Sequence, residues 1–214
     1  MPSLPIVITG TGRSGTTFLT HTFAKAGYDV GDVPLHLIGH GKRASGGGLE
    51  WTRFSQLNQK IFHKLGKGEH PMDIANEIRP EIPEHFPQVI KHPLYIFTFH
   101  VWELAGYIPE HIFLCMRNPD ATKLSFRKAF TDKAYIDRHL CAAYALQAHS
   151  LQRGTPITPV VYPRIGQDAE YANTTLHPFI KNASDIIQTI WDTSLHTCTE
   201  STQTVLQQQT INIE

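Results

Sequence analysis

Residues 7–19, VITGTGRSGTTFL, carry the glycine spacing of a phosphate-binding loop. Gly10 and Gly15 match a GxxxxG pattern that follows an apolar run and precedes residues with helical apolar spacing. A strand, a tight turn and a helix N-terminus aim several backbone amides at one point, and the helix dipole favours an anion there. We therefore expect residues 10–17 to bind a phosphate-like group; the alternative is a strand-to-helix turn without a ligand.

The loop lacks the lysine of a nucleotide triphosphatase. Thr16 stands at the lysine position, and the buried strands predicted after the first one end in Lys, Arg and Pro rather than in the aspartate that holds magnesium. Arg13 offers a fixed positive charge and forked hydrogen bonds instead, beside the hydroxyls of Ser14, Thr16 and Thr17. The pattern predicts an anion site that works without a metal.

A second cationic element lies in residues 113–126, FLCMRNPDATKLSF. Arg117 ends an apolar strand, Pro119 suits the first turn of a helix, and Thr122 and Ser125 share one side of that helix. Parallel strands end at one edge of a sheet, where ligands bind. Two anion sites on that edge predict a ligand with two separated phosphate groups, whereas the alternative for Arg117 is a strand-end salt bridge.

Together the two motifs resemble the sulfotransferase family, whose donor is 3′-phosphoadenosine 5′-phosphosulfate (PAPS). GTGRSGTTFL is similar to the family's loop for the 5′-phosphosulfate, and RNPDATKLS is similar to its element for the 3′-phosphate. VIKHPLY resembles the strand-ending lysine segment between them, and VVYPRIGQDAEYA resembles the late strand and helix. The order of these segments extends the resemblance over most of the chain.

The resemblance implies roles for the loop residues and for the second element. Arg117 and Ser125 would hold the 3′-phosphate, and the product would be adenosine 3′,5′-bisphosphate, with no metal required. The 5′-phosphosulfate would be held by residues of the loop, namely Gly12, Arg13, Ser14, Gly15, Thr16 and Thr17.

An acceptor hydroxyl or amine must lose a proton during transfer, which calls for a base. Glu50 is the first candidate because it follows the glycine-rich segment, where several branches of the family carry a glutamate base; its alternative role is charge compensation at a helix N-terminus. His92 is the second, although KHP is one residue shorter than the family's Lys-x-His pattern and a plain structural histidine is the alternative. Lys91, like Arg13, is expected to approach the transferred group.

Alternating strand and helix patterns predict an α/β fold, a three-layer P-loop-type domain with a central parallel sheet of about five strands and helices on both faces. A single domain over 1–196 precedes a polar tail, 197–214, and residues 34–48 are expected to form a mobile, glycine-rich loop. The predicted strands are 4–9, 28–33, 87–91, 111–116 and 157–162. The predicted helices are 15–26, 49–65, 72–79, 96–105, 119–130, 132–153 and 168–194.

The amino-acid composition limits the classes of molecule that the protein is expected to bind. The 214 residues include 19 Lys+Arg and 19 Asp+Glu, so a net charge of +0 argues against a broad nucleic-acid face or polybasic membrane attachment. Three widely spaced cysteines suit a reducing compartment. We expect a cytoplasmic protein that acts on a small-molecule or glycan acceptor and binds neither nucleic acid nor membrane; the oligomeric state stays open.

Two rival functions remain at this point. One is a P-loop kinase of a small metabolite, and the other is a non-catalytic nucleotide-binding protein on the same fold. The sequence also departs from cytosolic sulfotransferases near its end, because TVLQQQTINIE has no counterpart of their glycine-rich 3′-phosphate segment.

Overall fold

The computed structural model describes residues 3–33, 48–127 and 133–191. Helices and strands alternate through these ranges, and no helix within them is long and apolar enough to cross a membrane. The strands are β1 Ser3–Gly10, β2 Val89–Lys91, β3 Ile108–Arg117 and β4 Ile157–Tyr162. The helices are α1 Thr16–Lys25, α2 Thr52–Gly66, α3 Pro71–Ile78, α4 Tyr95–Leu104, α5 Pro119–Arg127, α6 Lys133–Arg153, α7 Arg164–Gln167, α8 Ala169–Leu176 and α9 Ala183–Ile190, with a 3-10 turn at Arg79–Glu81.

The strands form one parallel sheet in the order β2-β1-β3-β4. Gly10 at the end of β1 is opposite Cys115 of β3, and Arg117 is opposite Tyr162 of β4. Parallel pairing therefore brings the carboxyl ends of all the strands to one edge. This edge is where α/β proteins of this kind bind ligands.

Two apolar cores, one on each face of the sheet, produce the three layers. Val7 and Leu114 pack with residues of α2, α3, α4 and α6, while Ile8 and Phe113 pack with residues of α1, α7, α8 and α9. Strands covered on both faces need apolar side chains in both directions, which explains the continuous apolar runs of β1 and β3. The predicted α/β fold with helices on both faces is confirmed.

The strand predicted at residues 28–33 was wrong, so the described sheet has four strands where about five were expected. The Asp29 carboxylate accepts the Gly31 N–H at 2.9 Å, and Gly31 takes a left-handed φ of 79°. The segment makes one backbone hydrogen bond to β2, in which the Val89 N–H donates to the Asp29 carbonyl. The turn at Asp29 then bends the chain, so no strand forms. A β-branched pattern alone does not reveal such a turn.

Two predicted helices have different bounds in the structure. α2 begins at Thr52 rather than at 49, because Leu49 has a φ of 65° that no helix accommodates. The helix predicted for 168–194 is divided into α8 and α9, since Pro178 and the left-handed Asn182 interrupt it. The predicted loop over 34–48, except its last residue, and the tail from 197 lie outside the described residues.

Candidate functional site

The turn after β1 is tight and contains two left-handed residues. Arg13 and Gly15 take left-handed φ values of 67° and 93°, and the Ser14 N–H donates to the Thr11 carbonyl at 3.2 Å. A Cβ on Gly15 would lie 2.5 Å from the Tyr162 ring, so the position has no room for a larger residue. The predicted strand, turn and helix are all present in order.

Two hydroxyl-bearing residues of the loop are buried in the fold. Ser14 is fully buried and its hydroxyl donates to the Thr11 carbonyl, while Thr16 is buried as well. An anion at this turn would therefore meet backbone N–H groups such as those of Gly12 and Thr16 rather than the Ser14 hydroxyl, and the Ser14 N–H is not among them because it donates to the Thr11 carbonyl. No described side chain caps the N-terminus of α1, which leaves the N–H groups of its first turn for a ligand or water.

Arg117 lies directly against this loop. Its Nη1 donates to the carbonyl of Arg13 at 3.3 Å, and its guanidinium carbon stands 5.4 Å from the centre of the Tyr162 ring. Its Nε is buried and finds no hydrogen-bond partner among the described residues, as is also true of the Thr11 hydroxyl. An unpaired buried donor of this kind is costly, and an oxyanion would satisfy it.

The helix α5 begins directly after Arg117, so β3 ends at that residue. The Asn118 side chain accepts the N–H of Asp120 at 2.9 Å and that of Ala121 at 3.2 Å, so Asn118 caps the helix that Pro119 begins. Ser125 lies in α5, but its side chain is outside the described residues. Of the two residues predicted to hold the 3′-phosphate, Arg117 lies at the loop, and the role of Ser125 stays a prediction.

Lys91 and Glu50 form a buried ion pair beside the loop. The exposed fractions of the two side chains are 2% and 7%. The Lys91 ammonium donates to the Glu50 carboxylate, to the Gly48 carbonyl at 2.6 Å and to the Thr17 hydroxyl at 3.3 Å. Burial raises the pKa of Glu50 and lowers that of Lys91, and each partner's charge opposes the shift of the other.

Glu50 does not open the helix as the sequence predicted. It belongs to the short segment before α2, which contains the left-handed Leu49 and contacts Thr17 of α1 through the Gly48 carbonyl. Charge compensation at a helix N-terminus is thus replaced by direct pairing with Lys91. Spacing along the chain could not show this contact, because it joins residues 41 positions apart.

His92 directly follows β2 and lies against Phe54 and Ser55 of α2. The Leu94 N–H donates to its Nδ1 at 3.1 Å, so the ring proton belongs on Nε2, which stands 3.2 Å from the Ser55 hydroxyl oxygen. Burial, with some help from Lys91, lowers the pKa of His92 to about 3. Both ring nitrogens are therefore engaged inside the fold.

Tyr162 is the site residue that sequence reasoning missed. It ends β4 on the same edge, between the Gly15 turn and the Arg117 guanidinium, and it packs against Phe18 with ring centres 6.2 Å apart. Burial raises its pKa to about 12 in spite of the neighbouring arginines 13 and 117. The available signal was its position, since it is the last residue of the final predicted strand.

The chain matches no family model, and it matches no curated protein. The resemblance to sulfotransferases therefore rests on the sequence segments named above, and the residues at the carboxyl edge of the sheet are the remaining evidence for a function.

Proposed function

We propose that this protein is a PAPS-dependent sulfotransferase that transfers a sulfuryl group to a hydroxyl or amine of a small-molecule or glycan acceptor. One observation carries the proposal: the guanidinium of Arg117 is in contact with the turn that contains Arg13. The two anion-binding elements that the sequence places about a hundred residues apart are thus neighbours. A nucleotide with a 5′-phosphosulfate and a 3′-phosphate matches that pair of charges.

The loop and Arg117 divide the donor between them. Backbone N–H groups of residues 12–17 other than that of Ser14, which donates to Thr11, and the Arg13 guanidinium would hold the 5′-phosphosulfate. Arg117, with its unpaired Nε, and Ser125 would hold the 3′-phosphate. Tyr162 keeps the Arg117 guanidinium over its ring and so fixes the separation of the two charges.

Transfer needs positioning and charge stabilisation rather than a metal in this proposal. The acceptor atom bonds to sulfur while the bond from sulfur to the 5′-phosphate oxygen breaks, and its electron pair leaves with adenosine 3′,5′-bisphosphate. Arg13 and Lys91 are the cations that stabilise the charge on the loop side. Glu50 takes the acceptor proton after its carboxylate is released from Lys91, whereas both nitrogens of His92 are bonded inside the fold.

The rival kinase function has weaker support from the same edge. A kinase would use a carboxylate at a strand end to hold magnesium. In the described residues, β2, β3 and β4 end in Lys91, Arg117 and Tyr162, and the carboxylate beside Lys91 is bonded to that ammonium. These residues favour an anionic donor bound without magnesium.

The proposal is tested by incubating the purified protein with PAPS and EDTA, using 2-naphthol and glucosamine as probe acceptors. We expect release of adenosine 3′,5′-bisphosphate, and thermal stabilisation by that product but not by ATP with magnesium. Arg117→Ala should abolish both effects. Arg153→Ala removes an exposed arginine beside Ile108, at the opposite edge of the sheet, and should leave both effects intact. Stabilisation by magnesium-ATP with no response to the bisphosphate would contradict the proposal and favour the kinase.

A further inference from the structure

The segment Gly48–Glu50 engages two donor groups beside the loop, the Lys91 ammonium and the Thr17 hydroxyl. The Lys91 ammonium has three N–H bonds, and all three acceptors around it are accounted for by Thr17, Gly48 and Glu50. We infer that Gly48–Glu50 is an inhibitory latch, which an incoming anion displaces by taking the place of the Glu50 carboxylate on Lys91. The inference rests on the proposed function only for the identity of that anion.

Thr17, in the first turn of α1, is also engaged by the segment Gly48–Glu50. Its hydroxyl donates to the Gly48 carbonyl at 3.3 Å, so its proton points to the segment and not to the loop. The contact is close, since a Cβ on Gly48 would lie 2.9 Å from the Thr17 methyl carbon. One short segment thereby engages the first turn of α1 and the end of β2 together.

The exchange conserves charge at a buried position. Lys91 is almost completely buried, and a buried ammonium without a counterion is unfavourable. A sulfate or phosphate group that arrived while Glu50 stayed in place would add a second negative charge beside the same cation. Replacement of one anion by another avoids both penalties, and the left-handed backbone of the non-glycine Leu49 adds strain that release removes.

Release of the latch would also prepare the proposed base. While Glu50 is bonded to Lys91, its carboxylate serves the ion pair. Once the donor anion holds Lys91, the carboxylate is free to accept the acceptor's proton, and Lys91 faces the group being transferred. Binding of the donor would then be a condition for proton removal, which limits wasteful reaction before the site is filled.

Inorganic sulfate is the probe that tests the latch without a nucleotide. Glu50→Gln keeps the shape of the side chain but removes the competing charge, so we expect its sulfate affinity, measured by thermal stabilisation at constant ionic strength with chloride, to rise at least about 10-fold, or roughly 1.4 kcal/mol. Glu77→Gln is the matched control, because Glu77 pairs with Lys60 and Lys64 on the exposed surface. This control should bind sulfate as the wild type does.

Gly48→Ala provides a second variant in case Glu50→Gln fails to fold. The added methyl group presses on Thr17 and should loosen the segment without changing any charge, again raising sulfate affinity. Hydrogen exchange gives an independent readout: sulfate should speed amide exchange at residues 49–51 in the wild type. Unchanged or weaker sulfate binding by Glu50→Gln, or by Gly48→Ala where the first variant is unfolded, overturns the latch, as does slower exchange.

The latch and the proposed function can fail separately. Tighter sulfate binding by Glu50→Gln with no effect of Arg117→Ala on the bisphosphate would retain the latch and reject the bisphosphate site. Weaker bisphosphate binding by Arg117→Ala, with sulfate affinity unchanged in Glu50→Gln, would retain the donor site and reject the latch.

Discussion

At the scale of single residues, the candidate site depends on Arg117, on the buried pair of Glu50 and Lys91, and on the buried His92. The position of Arg117 beside the loop could be predicted from the sequence. The loop and Arg117 each lie at the carboxyl end of a strand, and in a parallel sheet these ends share one edge. The pairing of Glu50 with Lys91 could not be predicted, since it depends on how the segment before α2 crosses the sheet edge. The bonds of His92 to Leu94 and Ser55 depend equally on tertiary packing.

The buried His92 predicts a loss of stability in acid. The pKa of His92 is about 3 in the folded protein against an ordinary histidine value of 6.5, so between these pH values the unfolded chain binds a proton that the folded chain does not. This stabilising contribution is complete above pH 6.5 and falls as the pH is lowered toward 3, by about 1.4 kcal/mol per pH unit. Urea unfolding at several pH values measures the slope.

Two variants distinguish the effect of the His92 imidazole on the pH slope from the effect of its contact with Ser55. His92→Gln should remove the histidine's part of the pH slope, whereas Ser55→Ala, which keeps the imidazole and loses one partner, should retain it. A slope in His92→Gln equal to that of the wild type would show that other groups cause the acid sensitivity.

At the scale of elements, the loop depends on close approach of backbone to backbone. A Cβ on Gly10 would lie 2.2 Å from the Cys115 carbonyl oxygen, and that contact sets how near β3 comes to the loop. Periodicity predicted most helices and the buried strands, because packing on two faces requires apolar runs. It failed where a single side-chain turn, as at Asp29, or a left-handed residue, as at Leu49, redirected the chain.

Gly10→Ala should therefore destabilise the protein by about 3 kcal/mol, because the methyl group forces β1 and β3 apart. Thermal unfolding measures the effect, and nucleotide binding should weaken with it. Gly66→Ala is the control: no described heavy atom stands within 4 Å of its Cβ, and alanine suits the end of α2, so its melting temperature should be unchanged or slightly higher. Equal melting temperatures for the two variants would contradict the close approach.

At the scale of the whole molecule, the carboxyl edge of the sheet brings together site residues that are far apart in the sequence. β2 supplies Lys91, β1 supplies the loop, β3 supplies Arg117 and β4 supplies Tyr162, in the order in which the strands lie side by side. The two cores hold the strands from both faces, so the spacing between these groups is set by the sheet. A ligand with two phosphate groups would be recognised by that spacing.

Calorimetric titration with adenosine 3′,5′-bisphosphate and with adenosine 5′-monophosphate tests this claim most directly, because the two ligands differ only in the 3′-phosphate. We predict that the wild type and Arg153→Ala bind the bisphosphate at least about 10-fold more tightly, or roughly 1.4 kcal/mol, and that Arg117→Ala binds both ligands alike. Equal affinities in the wild type, or a preference for the bisphosphate that survives Arg117→Ala, would contradict the account.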